Sequence, residues 1–478
     1  MDWTLTEKNL KRYLHFDSDI SAVDAELLVK DPTLVSKHAF YPFILFNQHW
    51  NKWAEKGEKG EPKNRPIRYA ARRDAYIFSY YRSLLASKYE ERLISANLSE
   101  NVLAYRKIIG PDGRGQCNID FAKKAFDQIK NLSDCVAVTL DITRFFETLQ
   151  HDKIKSDWCD LLGQPILPKD HYKVFNAITK YSYIERDVLF KELGFLGQKI
   201  NPKNGAVSTG YLVSYDQMPK RQICKPSTLR SILKAKPEIL TTNNVSTGIP
   251  QGAPISDLLA NLYMLNFDQV MNEYALENGG IYLRYSDDIM IILPGDALIG
   301  YAARDKAFDL LAATAPNLAF KLEKTYIYTF QSKADGSLNI NRDLGPANHG
   351  ANGLEYLGFR FDGRSIFIRD STLSNLWRKV ARSANRHAVA VIKRYRDKSL
   401  AELYTELDVD NFAKKFGRVE EFAKHQDDVG SWTFWTYVKR CVKVFGGDVN
   451  GIASQVKAHK RVTKEKLHEA LAYYYGRV

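Results

Sequence analysis

Two adjacent aspartates, Asp287 and Asp288, are the residues of this sequence with the clearest capacity for chemistry. They lie between two apolar, β-prone runs at 282–285 and 289–293, a pattern that predicts a β-hairpin with the pair at its tip. Like charges in a poorly solvated place repel each other, and a divalent cation bound by the carboxylate oxygens relieves that repulsion. Oxygen ligands select Mg²⁺ or Mn²⁺. A solvated surface turn is the alternative, and the hairpin alone leaves both interpretations open.

A third aspartate ends another strand-like run. Residues 135–141 are rich in β-branched side chains and end at Asp141, and a helix is expected to begin at 142. The C-terminal end of a strand is a typical position for a metal ligand. An N-cap of the following helix is the simpler alternative for this aspartate.

Turn residues and periodicity predict the elements around these aspartates. Glycine and proline define a turn at 248–256 that includes Gln251 and Gly252 and opens an apolar helix at 257–270. Further helices are expected at 40–53, 75–93, 119–130 and about 302–313, and further strands at 321–328 and 354–361.

Composition limits the class of protein. The 478 residues include 69 Lys and Arg against 56 Asp and Glu, a net charge of +13, and 45% are hydrophobic. This length suits two or three packed units, and the basic excess favours nucleic acid over a membrane surface as partner. The five cysteines form no Cys-x-x-Cys pair, so neither a zinc site nor a disulfide frame is indicated. Since no signal pattern or membrane-spanning run is present, we expect a cytoplasmic protein with no membrane partner.

Most of the basic excess lies in the last quarter of the chain, where 371–478 carries 21 Lys and Arg against 12 Asp and Glu. Apolar residues at three- and four-residue steps from Leu373 to Val391 predict a helix. A net charge of +7 over 371–400 favours contact with a phosphate backbone over a merely solvated face. The candidate nucleic-acid-binding residues are Arg378, Lys379, Arg382, Arg386, Lys393, Arg394 and Arg396.

A second basic cluster precedes the 75–93 helix and contains Arg65, Arg68, Arg72 and Arg73. Guanidinium groups pair well with phosphate, so these residues would clamp a triphosphate or a template backbone. A charged, solvated face is the alternative, and the cluster taken alone favours it.

Taken in order, these elements resemble the palm of reverse transcriptases. The motifs are a strand ending in Asp141, a Gln-Gly-x-Pro-x-Ser turn at Gln251, a Tyr-x-Asp-Asp hairpin at Tyr285, a basic element with Lys324 and a Leu-Gly-Phe strand at Gly358. The resemblance covers roughly 65–361 and implies an α+β right-hand polymerase with a ferredoxin-like palm sheet. It implies an N-terminal arm and fingers at 1–137 and a palm at 138–365 with an inserted region at about 165–246. A basic helical thumb and C-terminal module would follow at 366–478.

Two segments refine the resemblance. Residues 141–146 resemble the retron and group II intron form of the family. The string 251–261 departs from that form at Asp257, where those enzymes usually carry proline, and resembles abortive-infection and other defence-associated reverse transcriptases of bacteria. No endonuclease or maturase region is recognisable. The resemblance therefore implies a bacterial, cytoplasmic enzyme of antiphage defence.

The resemblance also implies an activity, RNA-directed DNA polymerisation by two-metal nucleotidyl transfer. Asp141, Asp287 and Asp288 would be the catalytic residues, and they would bind two Mg²⁺ ions, or Mn²⁺, together with the backbone carbonyl of Ile142. Phe146 would act as a sugar gate that excludes a 2′-hydroxyl. The other expected nucleotide contacts are Gln251, Gly252, Lys324, Arg65, Arg68, Arg72 and Arg73.

The expected partners are an RNA template, which we expect to be a dedicated noncoding RNA, a DNA product and deoxynucleoside triphosphates. Some defence relatives assemble into oligomers or start synthesis on a protein hydroxyl, for which Tyr473, Tyr474 and Tyr475 are candidates. Three alternatives stay open at this point. They are template-independent or homopolymeric synthesis by the same site, a catalytically silent palm that binds RNA, and an intron-type maturase.

Overall fold

The computed structural model describes residues 3–51, 62–200, 205–345, 353–409, 411–412 and 434–478. The helices are α1 Ala22–Lys30, α2 Pro32–Lys37, α3 Arg72–Ser95, α4 Asn118–Leu132, α5 Phe145–Thr148, α6 His151–Leu162, α7 Lys169–Thr179, α8 Arg186–Glu192, α9 Pro226–Ala235, α10 Ser256–Tyr263, α11 Leu265–Glu277, α12 Ala297–Thr314, α13 Asp370–Arg394, α14 Leu400–Thr405, α15 Phe434–Phe445, α16 Asn450–Val456 and α17 His459–Tyr474. The strands are β1 Phe43–Asn51, β2 Pro62–Tyr69, β3 Cys135–Asp141, β4 Ser182–Glu185, β5 Leu196–Ile200, β6 Val207–Tyr211, β7 Leu240–Thr242, β8 Ile281–Tyr285, β9 Asp288–Pro294, β10 Tyr326–Ser332, β11 Leu338–Leu344, β12 Leu354–Tyr356, β13 Phe359–Phe361 and β14 Ile366–Ile368.

The central sheet has the order β11-β10-β3-β9-β8, and all of its neighbouring strands are antiparallel. Along the chain, β3 leads through α10 and α11 to the β8–β9 hairpin, and α12 then leads to β10. This βαββαβ order with β3 and β9 at the centre is the ferredoxin-like arrangement. The predicted α+β class is confirmed.

The two central strands are buried on both faces. Val136 and Val138 of β3 pack into one hydrophobic core, and Cys135 and Ala137 pack into the other. Residues that must be apolar on both faces appear in sequence as an unbroken run. This explains why the sequence of β3 is apolar except at the half-buried Thr139 and carries a charge only at Asp141, its last residue.

A second sheet has the order β2-β1-β4-β7. Its strand β1 occupies most of the stretch for which the sequence predicted a helix at 40–53, so that prediction is wrong for 43–51. The β1 residues pair with β2 from Ile44 to Asn51, and the aromatic and branched side chains of this run suit a pleated surface. Residues 52 and 53 lie outside the described part of the chain.

Three other predicted elements have different boundaries. The helix predicted at 257–270 is two helices, α10 and α11, separated at Met264. The strand predicted at 354–361 is a hairpin, because Leu357 and Gly358 turn the chain with positive φ angles of 46° and 91°. The strand predicted from 321 begins only at Tyr326, after a 3₁₀ turn at Leu322–Lys324.

The C-terminal helices belong to two different cores. Helices α13, α14 and α17 share a hydrophobic core of their own. Helix α15 packs instead in the core beneath the central sheet, and the Gln455 side chain of α16 exchanges two 2.9 Å hydrogen bonds with the Ile368 backbone of β14. The segment at 366–478 is therefore divided between two packing units. Within the described residues, no helix has the length and apolar character needed to cross a membrane.

Candidate active site

Three carboxylates meet at one end of the central sheet. Asp141 is the last residue of β3, and it lies opposite Asp288, the first residue of β9. Ser286 and Asp287 form the two-residue turn between β8 and β9, with Ser286 at φ 61°. The Ile142 backbone N–H donates to the Asp287 carbonyl at 3.2 Å, which joins the hairpin tip to the end of β3. The structure thus brings together the three aspartates that the sequence singled out.

A buried ion pair supports the hairpin from below. Arg284 of β8 is fully buried, binds Asp268 of α11 at 2.6 Å, and donates at 3.0 Å to the Ser286 carbonyl in the turn. Tyr282 donates its hydroxyl to the same Asp268 at 2.6 Å. Sequence analysis missed this pair, although a lone arginine inside an apolar strand was the available signal.

The site electrostatics match the repulsion expected from the sequence. The pKa of Asp288 is raised to about 7, first by desolvation among the surrounding protein atoms and then by the charges of Asp287 and Asp141. The Asp288 residue is nevertheless exposed to solvent, in contrast to the buried residues 289–293 of β9. A cation brought to this residue would favour the ionised carboxylate.

Two lysines neutralise Asp141. Both Lys321 and Lys324 bind its carboxylate, one ammonium group on each oxygen, and Lys321 Nζ also lies 3.4 Å from the Ile142 carbonyl oxygen. In the part of the chain that the structure describes, no three His, Cys, Asp or Glu side chains converge around one point as a ready metal site. The donors are nevertheless anionic and carbonyl oxygens that already contact cationic groups, so their chemistry fits Mg²⁺ or Mn²⁺.

An aromatic pair borders the carboxylates. Phe146 follows the Asp141 strand by five residues, in the short helix α5, and its ring lies 6.5 Å from the ring of Tyr105. The Tyr105 hydroxyl is hydrogen-bonded to Ser286 Oγ at 2.9 Å. Tyr105 was not singled out in the sequence, because it lies in a loop without periodicity.

The turn at Gln251 and Gly252 contacts strand β2. The Arg68 N–H donates to the Gln251 carbonyl at 2.8 Å. Gly252 has φ 112°, and a Cβ at this position would lie 2.8 Å from the Arg68 carbonyl oxygen. A glycine is required here both for its backbone angle and for the close approach of β2.

The basic cluster at 65–73 is divided among several places. Arg68 lies beside the turn, with its guanidinium 4.8 Å from the Tyr183 ring. Arg65 is exposed, and strand alternation directs it to the opposite face of β2. Arg73 donates at 3.5 Å to Ser18 from its side chain.

Arg72 does not fit the predicted contact with a triphosphate. Its side chain is 2% exposed and binds Asp17 at 3.4 Å and also Asp19. A buried arginine with two carboxylate partners has no free donor face for a phosphate, so its observed position indicates a structural role.

Helix α13 has two distinct faces. Its apolar residues, among them Val380, Ala384 and Ala388, are buried in the C-terminal core. At about 100° per residue, the five basic residues inside the helix fall on an arc of about 100° opposite this buried stripe. These residues are Arg378, Lys379, Arg382, Arg386 and Lys393. Arg394 ends the helix nearer the buried side, and Arg396 lies beyond it.

The three tyrosines near the C-terminus lie at the end of α17. Tyr473 and Tyr475 are 57% and 41% exposed, and Tyr474 packs against the C-terminal core. None of the described contacts of these tyrosines involves the carboxylate cluster.

Comparison with known proteins bears on the same region. Residues 214–361 match the family described as Reverse transcriptase (RNA-dependent DNA polymerase). The matched range includes Gln251, the β8–β9 hairpin and Lys324, and it excludes Asp141 and Phe146. The predicted resemblance is therefore confirmed over this range. No curated protein sequence matches the chain at a significant level.

Two solved structures illustrate the structural comparison. Apo telomerase from Candida tropicalis, truncated from its C-terminal domain, is 11% identical with a TM-score of 0.37, covering 71% of this chain and 58% of that one. Telomerase from Candida albicans in complex with a TWJ fragment of telomeric RNA is 9% identical with a TM-score of 0.37, covering 95% of this chain and 66% of that one. The chain thus covers less than two thirds of the length of either telomerase.

Proposed function

We propose that this protein is an RNA-directed DNA polymerase that acts by metal-dependent nucleotidyl transfer. The observation that carries the proposal is the meeting of Asp141, Asp287 and Asp288 at one end of the central sheet. The family match over 214–361 supports it, because the match contains two of these three carboxylates.

Asp141, Asp287, Asp288 and the Ile142 carbonyl would hold two divalent ions, with Mg²⁺ preferred and Mn²⁺ accepted. Such ions, when bound, activate the 3′ oxygen of the growing strand and stabilise the leaving pyrophosphate. Lys324 binds Asp141 from the side of the pocket that Asp288 also lines. We propose that its ammonium group would balance the charge of the pyrophosphate once Asp141 has other partners.

The residues around the carboxylates would select the nucleotide. The Phe146 ring, 6.5 Å from the Tyr105 ring, would exclude a 2′-hydroxyl, which favours deoxynucleotides. The Gln251–Gly252 turn would lie under the new base pair, and Arg68 beside it would contact the triphosphate. Arg68 Nε is buried and meets no hydrogen-bond acceptor among the described residues, as expected of a donor that serves a ligand.

The basic face of α13 would hold the template and product. An RNA–DNA hybrid is A-like, and proteins recognise it by shape and through its backbone. A stripe of exposed Lys and Arg opposite a buried apolar stripe provides such a backbone contact. We propose a dedicated noncoding RNA as the template.

The biological role that we propose is bacterial antiphage defence, in the cytoplasm. It is supported by Asp257 in the 251–261 string, where mobile-intron relatives usually carry proline. Homopolymer synthesis, priming on Tyr473, Tyr474 or Tyr475, and assembly into an oligomer are variants of the same activity. A silent palm is less favoured because all three aspartates are present, and a maturase is less favoured because Asp257 stands where mobile-intron relatives usually carry proline.

The test is incorporation of deoxynucleotides by protein purified with the RNA that it retains. Labelled deoxynucleotides are supplied one at a time with Mg²⁺ and without primer, and the reaction is repeated with an added primer and RNA template. Asp287→Ala is expected to lower incorporation by at least about 10³-fold, since it removes a metal ligand. Asp309→Ala, an exposed aspartate of α12, is the matched control and is expected to retain activity.

The outcomes separate the variants of the proposal. Product that requires Asp287, disappears after ribonuclease treatment and stays with denatured protein indicates RNA-templated, protein-primed synthesis. Product that appears only with an added primer and template indicates conventional extension. Product unaffected by ribonuclease indicates template-independent synthesis. No incorporation in any arm would refute the catalytic assignment.

A further inference from the structure

Residues 101–103, which precede α4 and β3 in the chain, are hydrogen-bonded to the edge strand β8 of the β8–β9 hairpin. The Arg284 N–H donates to the Asn101 carbonyl, and the Leu103 N–H donates to the Arg284 carbonyl, each at 2.8 Å. Val102 thus forms a parallel bridge with Arg284 of β8. The Asn101 side chain also donates at 2.7 Å to the Tyr282 carbonyl. This edge contact directs the chain toward the hairpin tip, where Tyr105 follows.

Tyr105 contacts two functional groups at once. Its hydroxyl is hydrogen-bonded to Ser286 Oγ at 2.9 Å, next to Asp287, and its ring lies 6.5 Å from the Phe146 ring. Its φ angle is 65°, a left-handed conformation that bulky residues rarely adopt. The side chain is 40% exposed, so core packing does not account for this conformation.

A salt bridge holds the Tyr105 backbone in place. Arg82 of α3 donates to the Tyr105 carbonyl at 2.7 Å. The same guanidinium binds both carboxylate oxygens of Asp257, with contacts of 2.9 and 3.0 Å. Asp257 lies in the first turn of α10, just after the Gln251–Gly252 turn. The clamp therefore links the glycine turn, the Tyr105 loop and the hairpin tip.

We propose that Tyr105 is a positioning residue of the nucleotidyl-transfer site, held in its left-handed conformation by the Asp257–Arg82 clamp. Its hydroxyl fixes Ser286 and with it the Asp287 turn, and its ring supports the Phe146 ring against the nucleotide sugar. The inference rests on the proposed function for its kinetic consequences. It also assigns a role to Asp257, the residue at which the 251–261 string departs from its mobile-intron relatives.

The two contacts predict two separable defects. Tyr105→Phe keeps the ring and loses the hydrogen bond, so we expect kcat to fall about threefold to tenfold, with KM for the deoxynucleotide changed less than about twofold. Preference for deoxynucleotides over ribonucleotides stays unchanged in this variant. Tyr105→Ala also removes support from Phe146, so this preference is expected to fall about tenfold.

The clamp is tested by a double-mutant cycle. Asp257→Asn weakens the hold on Arg82 and is expected to lower kcat about threefold. Combined with Tyr105→Phe it should cause little further loss, because both changes act through the position of Ser286. Tyr172→Phe, at a 44% exposed tyrosine of α7, is the matched control and is expected to match wild type.

Amide hydrogen exchange of the 284–289 hairpin gives a readout that does not depend on activity. We expect faster exchange there in Tyr105→Phe and Asp257→Asn, while β3 amides at 136–139 exchange as in wild type. Unchanged hairpin exchange in both variants, or strictly additive kcat losses, would overturn the inference. If wild-type protein shows no Asp287-dependent incorporation, the proposed function fails, and the exchange data alone decide whether Tyr105 positions the hairpin.

Discussion

At the scale of single residues, the site concentrates negative charge that the protein alone does not fully neutralise. Lys321 and Lys324 both serve Asp141, whereas Asp288 faces Asp287 and Asp141 with its pKa raised to about 7. A carboxylate whose pKa is higher in the folded than in the unfolded chain stabilises the fold only while it stays protonated. The ionised form of Asp288 therefore costs stability, and a bound cation of the kind proposed above would offset that cost.

The free energy of unfolding of the metal-free protein should depend on pH, because the pKa of Asp288 is raised in the folded chain. The Asp288 contribution is fully present below the unfolded pKa of 3.8 and is lost as the pH rises through about 7. We expect Asp288→Asn to raise the Tm relative to wild type in EDTA at pH 8, and the difference to shrink toward pH 5. Thermal unfolding across this range measures it, with Asp309→Asn as control. A Tm difference independent of pH would contradict the assignment.

At the scale of elements, function depends on which face of a helix or turn is free. Helix α13 buries one stripe against the C-terminal core and leaves its basic stripe exposed. The Gln251–Gly252 turn instead has its backbone covered by β2, which approaches so closely that no Cβ fits. The basic face of α13 is therefore accessible to solvent, whereas the Gln251–Gly252 turn packs against β2 and fixes its position.

The basic face of α13 should contribute to nucleic-acid affinity without sequence preference. We expect Arg386→Glu to weaken binding of an RNA–DNA hybrid about threefold to tenfold and to lower the salt dependence by about one counterion, because a phosphate contact is lost. Titration at several salt concentrations measures both quantities. Lys306→Glu on α12 makes the same charge change on another exposed helix face. Equal losses in the two variants would indicate a general charge effect and no specific contact.

The Gly252 turn should not tolerate a methyl group. Gly252→Ala places a Cβ 2.8 Å from the Arg68 carbonyl oxygen at φ 112°, so we expect it to lower the free energy of unfolding by about 1–3 kcal/mol and to raise KM for the nucleotide. Gly113 has a positive φ of 74°, but no atom lies within 4 Å of a Cβ added there. The variant Gly113→Ala therefore measures the cost of the positive φ angle without a steric contact. Equal destabilisation of both variants would show that the contact with β2 is unimportant.

At the scale of the whole molecule, the β8–β9 hairpin is joined to the helical layer by a buried charge pair. Arg284 and Asp268 are both fully buried, and Asn261 of α10 accepts from Arg284 at 3.0 Å while donating to the Ala104 carbonyl at 2.9 Å. This network connects α10, α11, β8 and the Tyr105 loop. Its loss would disturb fold and site together.

Breaking this pair should be strongly destabilising. Asp268→Ala leaves the Arg284 charge buried without its partner, so we expect the free energy of unfolding to fall by about 3–5 kcal/mol. Denaturant unfolding measures the change. Asp305→Ala removes the partner of Arg304 on the surface and should cost less than about 1 kcal/mol. A similar, small effect in both variants would show that the buried pair is not a stabilising link.

The sequence by itself determined the parts of the site whose signals are local. The apolar run ending in Asp141, the paired aspartates between two strands and the glycine of the 248–256 turn each follow from a few neighbouring residues, and each lies where it was predicted. Such signals depend on strand periodicity and turn geometry, which neighbouring residues set. The basic helix α13 was predictable for the same reason, because the spacing of apolar and basic residues along one helix is a local pattern.

Only the tertiary structure decided which distant groups meet. The run at 43–51 is a strand because β2 and β4 pair with it. The Arg72 side chain is buried together with Asp17, its ion-pair partner from a distant part of the chain. Lys321 joins Lys324 on Asp141, and the Tyr105 hydroxyl meets Ser286 Oγ, 181 residues further along the chain. Pairing partners, burial and ion pairs depend on contacts across the chain, so no local pattern reveals them.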